Sequence, residues 1–324
     1  MGKRGSRAGF FRGETSPAHR GRSRRSTQLL KIAAQAKQDA KVRLTALAHV
    51  LTPAFLLETW RQLKRQGASG LDGEPIEALE TNLAERIQDL WRRLKAGQYQ
   101  APPVRRVEIP QGNGKMRPLG IPTGEDRLLQ RAVARMLRAI YEQDFLECSF
   151  GYRPGRNPHR ALKALRDHIV TGKGRHGYEA DIQGYFTKIH HAWLRKMSAL
   201  RIADPVITGL MGKGLKAGVR AGGGVARPQA GTPQGGPISP CLANVYLHYV
   251  LDWWCEKRAR RYRQGEAYLT RCVDDFVGAF QYTRDAENVD RTLKIRRKRF
   301  GRSFAPEKTR RMLFGRFARE RAES

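Results

Sequence analysis

Asp274 and Asp275 stand side by side in AYLTRCVDDFVGAF, residues 267–280, a run otherwise apolar enough to read as strand. A buried carboxylate costs roughly several kcal/mol unless a cation or hydrogen bonds meet its charge. The pair therefore belongs either at a solvated turn or beside something positive. A third carboxylate, Asp181, stands in the strand-like segment EADIQGYF, residues 179–186. Carboxylates from two strands can converge on a pair of divalent cations, which is what in-line phosphoryl transfer requires. One ion lowers the pKa of an attacking hydroxyl and the other neutralises charge on a leaving pyrophosphate. Magnesium suits such an all-oxygen site, keeping some waters and taking its remaining ligands from substrate phosphates. Successive strand residues face opposite sides, so two adjacent aspartates cannot both point squarely at one ion. That ranks Asp181 and Asp274 as the main ligands and Asp275 as the auxiliary. Taken alone, an Asp-Asp pair is more often a solvated turn, and by itself it decides little.

The elements that must position these residues follow from periodicity and punctuation. Residues 1–26 are rich in Arg, Gly and Ser without any period and read as a disordered basic arm. Residues 27–66 read as a helical extension, with Leu29, Leu30, Ile32, Ala33 and Ala36 at helical spacing. Within it, Thr52 is placed to cap a second helix that has Pro53 at its first position. An amphipathic helix is expected through IEALETNLAERIQDLWRRLKAG, ending at Gly97, followed by two short strands around the Gln-Gly-Asn-Gly turn of residues 111–114. A long helix covers EDRLLQRAVARMLRAIYEQDF; then come a loop FGYRPGRNPH, a helix RALKALRDHIV, a strand YEADIQGYF and helical stretches to about Gly218. The Gly/Pro loop GTPQGGPISP feeds a helix CLANVYLHYVLDWWCEKRARRY, and YLTRCVDDFVGAFQ reads as two strands joined by a tight turn. A basic helix DAENVDRTLKIRRKRFG and a last strand near RRMLFGRF close the pattern.

Charge points to the partner. The 324 residues carry 62 Lys and Arg against 30 Asp and Glu, a net charge of +32 that calls for a polyanion, nucleic acid first among them. Cys148, Cys241, Cys255 and Cys272 lack CxxC or CxxH spacing, which argues against a zinc site or a disulfide framework and for a reducing interior. No apolar run is long enough for a membrane span and no signal-peptide core follows the basic start, so a cytoplasmic, bacterial protein is expected.

IPQGNGKMRPLGIPTGEDRLLQRAV, FGYRPGRNPHRAL, EADIQGYFTKI, GTPQGGPISPCLANVYLHYVLD, RCVDDFVGAF and APEKTRRMLFGRF occur in this order. Together they resemble the characteristic blocks of group II intron-encoded reverse transcriptases, from about residue 60 to residue 317. The resemblance implies an α+β right-hand polymerase with helix-rich fingers over 67–175 and a palm over 176–317, its antiparallel sheet backed by helices. Asp181, Asp274 and Asp275 would then be the metal-binding triad for two Mg2+ ions. Phe186 would lie under the incoming sugar, where a rigid ring against C2′ leaves no room for a hydroxyl; the same ring could also serve the core. Lys115 and Arg117 would clamp the triphosphate. Gln234 would sit near the sugar and base, with Gly235 and Gly236 permitting close backbone approach. Lys308 would assist pyrophosphate departure, and Arg153 would support the template or fingers, or else be structural. The implied partners are an RNA template, a DNA primer, dNTP and intron RNA, with no membrane.

Three departures from the family pattern stand out. Cys272 replaces the usual tyrosine and Val273 the alanine before the Asp-Asp pair, and Thr187 stands where an aspartate commonly follows the aromatic pair. None removes a metal ligand. Residues 318–324 read as a tail, with the thumb and maturase region of full-length relatives expected to be absent and activity correspondingly weakened. The expected function is RNA-directed DNA polymerase of a group II intron mobile element. The alternative is a catalytically silent remnant that binds intron RNA through its basic surface. A defence or diversity-generating reverse transcriptase shares the chemistry but fits the TPQGGPISP and PEKTR blocks less closely.

Overall fold

A computed structural model describes residues 27–64, 66–110, 114, 116–182, 184–221, 224–226, 230–232, 235–300 and 309–314. The expected basic arm and the 318–324 tail, together with Lys115, Gln234 and Lys308, lie outside them.

The helical spacing of the N-terminal region is realised in α1 (Thr27–Gln38), which buries Leu29, Ile32 and Ala36. Helix α2 (Pro53–Arg61) begins as its residues dictate, with the Thr52 hydroxyl accepting from Phe55 N at 3.2 Å and proline in the first turn. The single helix expected from Ile76 to Gly97 divides in two. Ile76–Glu80 is a short 3-10 turn, and α3 (Leu83–Lys95) starts only after it. Thr81 and Asn82 stand at the break, and short polar side chains of this kind compete for the local backbone and favour turns over helix. Gly97, at φ +71°, closes α3 in the left-handed conformation that glycine tolerates.

Two four-stranded sheets organise the rest. The expected hairpin forms β1 (Val104–Pro110) and β2 (Met116–Ile121), antiparallel with Ile109 opposite Arg117. Its other edge is taken by two strands that were not expected, β4 (Val219–Ala221), parallel to β1, and β5 (Gly224–Ala226). Three-residue strands carry too few alternations to leave a periodic signal. The second sheet, antiparallel throughout, runs β6 (Ala267–Cys272), β7 (Asp275–Phe280), β3 (His176–Asp181), β8 (Arg310–Leu313). Helices α5 (Pro158–Thr171) and α9 (Thr283–Arg299) pack on it.

Helix α4 (Gly124–Tyr141) is buried on nearly every side, and α1, α2 and α8 pack around it. Helix α8 (Ser239–Leu247) does not run on as a regular helix to residue 262. It widens into π-helical turns at His248–Asp252 and Trp254–Arg258. Between the sheets' strands come α6 (His191–Ser198) and α7 (Pro205–Lys216). One hydrophobic core draws on residues from Leu29 to Phe300. The N-terminal extension is tied into it by Arg201, which is 1% exposed and donates to the carbonyls of Asp39, Val42 and Ala36. The fold is α+β. Among the described residues no helix is long and apolar enough to cross a membrane.

Candidate active site

The β6–β7 hairpin pairs Cys272 with Asp275, leaving Val273 and Asp274 as a two-residue turn. Asp274 is therefore a turn residue, and the strand-alternation argument that set Asp275 aside does not apply to it. Instead Asp275, the first residue of β7, stands directly opposite Asp181, the last residue of β3. Directly opposed residues of an antiparallel pair project on the same face. The ladder thus sets Asp181 beside Asp275, with Asp274 on the adjoining turn.

Electrostatics report the same crowding. The Asp274 carboxyl is pushed up to about 6, first by desolvation and also by the charges of Asp275 and Asp181, while Arg117 pulls the other way. Arg117 comes from β2 of the other sheet, so the site lies where the two sheets approach each other. The Cys272 thiol is pushed up as well, by burial and then by the charges of Asp275 and Asp274.

Phe186 lies not on a strand but in a 3-10 turn, Phe186–Lys188, because β3 ends at Asp181. Its ring is 6% exposed and meets Tyr185 edge-on at 5.4 Å and Tyr152 at 6.4 Å. The Gly231–Thr232 backbone runs along this turn, Thr232 N donating to Phe186 O at 2.7 Å and Gly231 N to Ile189 O at 2.8 Å. Gly231 has φ +93°, and a Cβ there would lie 2.6 Å from Thr187 O. Gly231→Ala should cost about 1–3 kcal/mol from the backbone conformation alone, read as a lower midpoint in urea unfolding with an unchanged slope. On the other side, Gly235 at φ +113° brings its backbone against β2, where a Cβ would meet Gly120 O at 2.7 Å.

Arg153 is a structural anchor. The residue is 7% exposed, and its guanidinium donates to Leu146 O at 2.7 Å, Ser149 O at 2.9 Å and Glu142 at 3.1 Å. Sequence reasoning missed two residues, one against Phe186 and one bonded to the turn that carries Asp274. Tyr152, half exposed at φ +57°, presents its ring to Phe186. Arg271, a charge inside an apolar strand, was the visible signal of a buried acidic partner, and that partner is Asp252.

The reverse transcriptase (RNA-dependent DNA polymerase) family matches residues 109–322, more than half of the chain. The chain belongs to the reverse transcriptase family. It is 37% identical to the protein YkfC of Escherichia coli K12 over 244 residues, 72% of this chain and 64% of that protein. It is 44% identical to the group II intron-encoded protein LtrA of Lactococcus lactis over 201 residues, 62% of this chain and 33% of LtrA. A 91 kDa protein in the cob intron of Schizosaccharomyces pombe is 32% identical over 202 residues, 62% of this chain and 25% of that protein. The chain thus spans less than two thirds of the length of these relatives.

In this reverse transcriptase chain, Asp181, Asp274 and Asp275 are the groups with the chemistry to hold a divalent cation. Desolvation, with the charges of Asp275 and Asp181 added to it, raises Asp274 to about 6, and a cation bound among these three carboxylates would offset both penalties. Among the described residues no set of three or more His, Cys, Asp or Glu side chains stands ready-made as a metal cage. A hard ion that takes one or two carboxylates and completes its shell with water and phosphate needs no such cage.

Proposed function

We propose that this chain is the catalytic core of an RNA-directed DNA polymerase of group II intron type, transferring nucleotides from dNTP to a primer 3′-hydroxyl on an RNA template. The observation that supports it is the opposition of Asp181 and Asp275 across β3 and β7, with Asp274 on the turn beside them. In this reading the three carboxylates hold two Mg2+ ions, which supply nucleophile activation and charge neutralisation. Arg117, whose charge already reaches Asp274, binds the triphosphate, joined by Lys115. Gly235 lies beside the nucleotide in this reading, and the family resemblance gives Gln234 a role at the sugar and base and Lys308 one in pyrophosphate departure. The net charge of +32 holds the phosphate backbones of template and primer and, by the same means, intron RNA. Residues 67–175 serve as fingers and 176–317 as palm, with β4 and β5 contributed from the palm range to the fingers sheet.

Phe186 is the sugar gate of this reading. Phe186→Val, which keeps an apolar side chain against Tyr152 and Tyr185, should reduce discrimination against ribonucleotides by about tenfold to 100-fold. The kcat/KM ratio for dCTP and CTP on one primed RNA measures it.

The deciding experiment is primer extension on a primed RNA with Mg2+ and dNTP, comparing the unmodified protein with Asp274→Asn. Extension lost in the variant supports the polymerase. Tight, magnesium-indifferent RNA binding with no extension by either protein would instead leave an RNA-binding remnant.

A further inference from the structure

We propose that Arg271 is a positioning residue whose buried guanidinium holds the turn carrying Asp274 in its reactive place; the inference rests on the polymerase reading above. Arg271 is 0% exposed, and every one of its five N–H donors is used. Nε and Nη2 take both Asp252 oxygens at 2.7 Å, and Nη2 also donates to Ser149 Oγ at 2.6 Å. Nη1 donates to Asn244 Oδ1 at 3.1 Å and to the main-chain oxygen of Val273 at 2.8 Å. That last bond falls on the residue immediately before Asp274.

Val273 needs holding. Its φ is +66°, and a β-branched residue in this region is under strain unless its surroundings impose the conformation. Among the described residues, Tyr152 is the one other non-glycine with positive φ, and Gly151 beside it is pressed against the same turn. A Cβ on Gly151 would lie 2.5 Å from both Val273 N and Val273 Cγ2. Asn244 Nδ2 donates to Gly151 O at 2.7 Å, while Arg271 N and O bond Cys148 O and Phe150 N across a short parallel bridge. Three separate segments therefore converge on one guanidinium: the 148–152 loop, Asn244 of α8, and Asp252 on the π-helical turn. A buried ion pair of this kind adds little stability over an apolar replacement. Placing the turn is the task that its fifth hydrogen bond performs.

Arg271→Lys keeps a cation for Asp252 but cannot reproduce the planar fork. A displaced Asp274 should lower kcat by about 100-fold, with the KM for dNTP changed less than about threefold. Adding Val273→Gly to that variant should restore about tenfold, because glycine adopts positive φ without strain. Amide hydrogen exchange, which requires no turnover, should accelerate at residues 273–275 and remain unchanged in α4. Unaltered exchange at the turn, or a kcat loss that tracks melting temperature and does not recover with Val273→Gly, overturns the inference. An unmodified protein that extends no primer sinks the polymerase reading instead, and the exchange result then decides the hold on the turn by itself.

Discussion

Asp274→Asn should abolish primer extension by about 10³-fold or more, about 4 kcal/mol of transition-state stabilisation, and yet leave the protein at least as stable as before. The two effects have one cause. Desolvation, together with Asp275 and Asp181, raises the folded carboxyl to about 6 from its ordinary 3.8, so the folded state holds this proton more tightly than the unfolded chain. Between those values the folded protein binds more protons, and stability falls as pH rises through the window. Above about pH 6 the ionised side chain opposes folding by on the order of 1–2 kcal/mol, after discounting for its partial exposure. An amide of the same shape removes that opposition and, with it, the charge that chemistry requires. Metal-free thermal melts at pH 7.5 should show the variant equal to or above the unmodified protein. At pH 4.5 the difference should shrink. A variant that loses activity by unfolding would show the reverse, and a variant that still extends primers would end the assignment.

Asp204→Ala should be the most damaging substitution remote from the aspartates. One carboxylate, 3% exposed, accepts from four backbone N–H groups. Oδ1 caps α7 through Val206 N at 2.9 Å and Ile207 N at 3.1 Å; Oδ2 takes Leu47 N at 2.7 Å and Ala48 N at 2.8 Å. Alanine leaves all four donors without their acceptor and uncouples the N-terminal extension from α7, at a cost of about 3–5 kcal/mol. Desolvation raises the Asp204 carboxyl, but the four donors outweigh it and hold the group below its ordinary 3.8. A depressed carboxylate contributes its stability above the unfolded pKa and loses it as pH falls through the folded value. Urea midpoints for the two proteins should therefore lie far apart at pH 7 and draw together as the pH falls below about 4. Equal midpoints at pH 7 would show that water replaces the carboxylate without loss.

The site was legible in the residue types, but not in their arrangement. Asp181, Asp274 and Asp275 could be singled out because carboxylates in apolar runs demand a reason, and the order of the motif blocks indicated the family. The argument that ranked them assumed that Asp274 lies on a strand, whereas it lies on the turn. Whether a residue belongs to the strand or to the turn depends on register, here the pairing of Cys272 with Asp275. Phe186 was placed on a strand for the same reason, since the end of β3 is set by its pairing with β7, which stops at Asp181. The hairpin β1–β2 could be read because its strands are long enough to bracket a glycine turn; β4 and β5 are not. The contacts of Arg271 lie up to 122 positions away along the chain, at Ser149. No local pattern records a partner at that distance.

The parallel pairing of β1 with β4 also governs how the nascent chain must behave on the ribosome. Val104 and Arg105 find their partners only at Val219 and Arg220, so one edge of the β1–β2 hairpin waits while more than a hundred further residues are synthesised. At about 5–20 residues per second that delay is on the order of ten seconds, long enough for an open strand to recruit a foreign one. The sequence of that strand, VRRVEIP, carries Arg105, Arg106 and Glu108 and ends in proline. Charges and proline discourage edge-to-edge association. The charges and proline of this strand can thus keep the unfinished sheet from aggregating during translation.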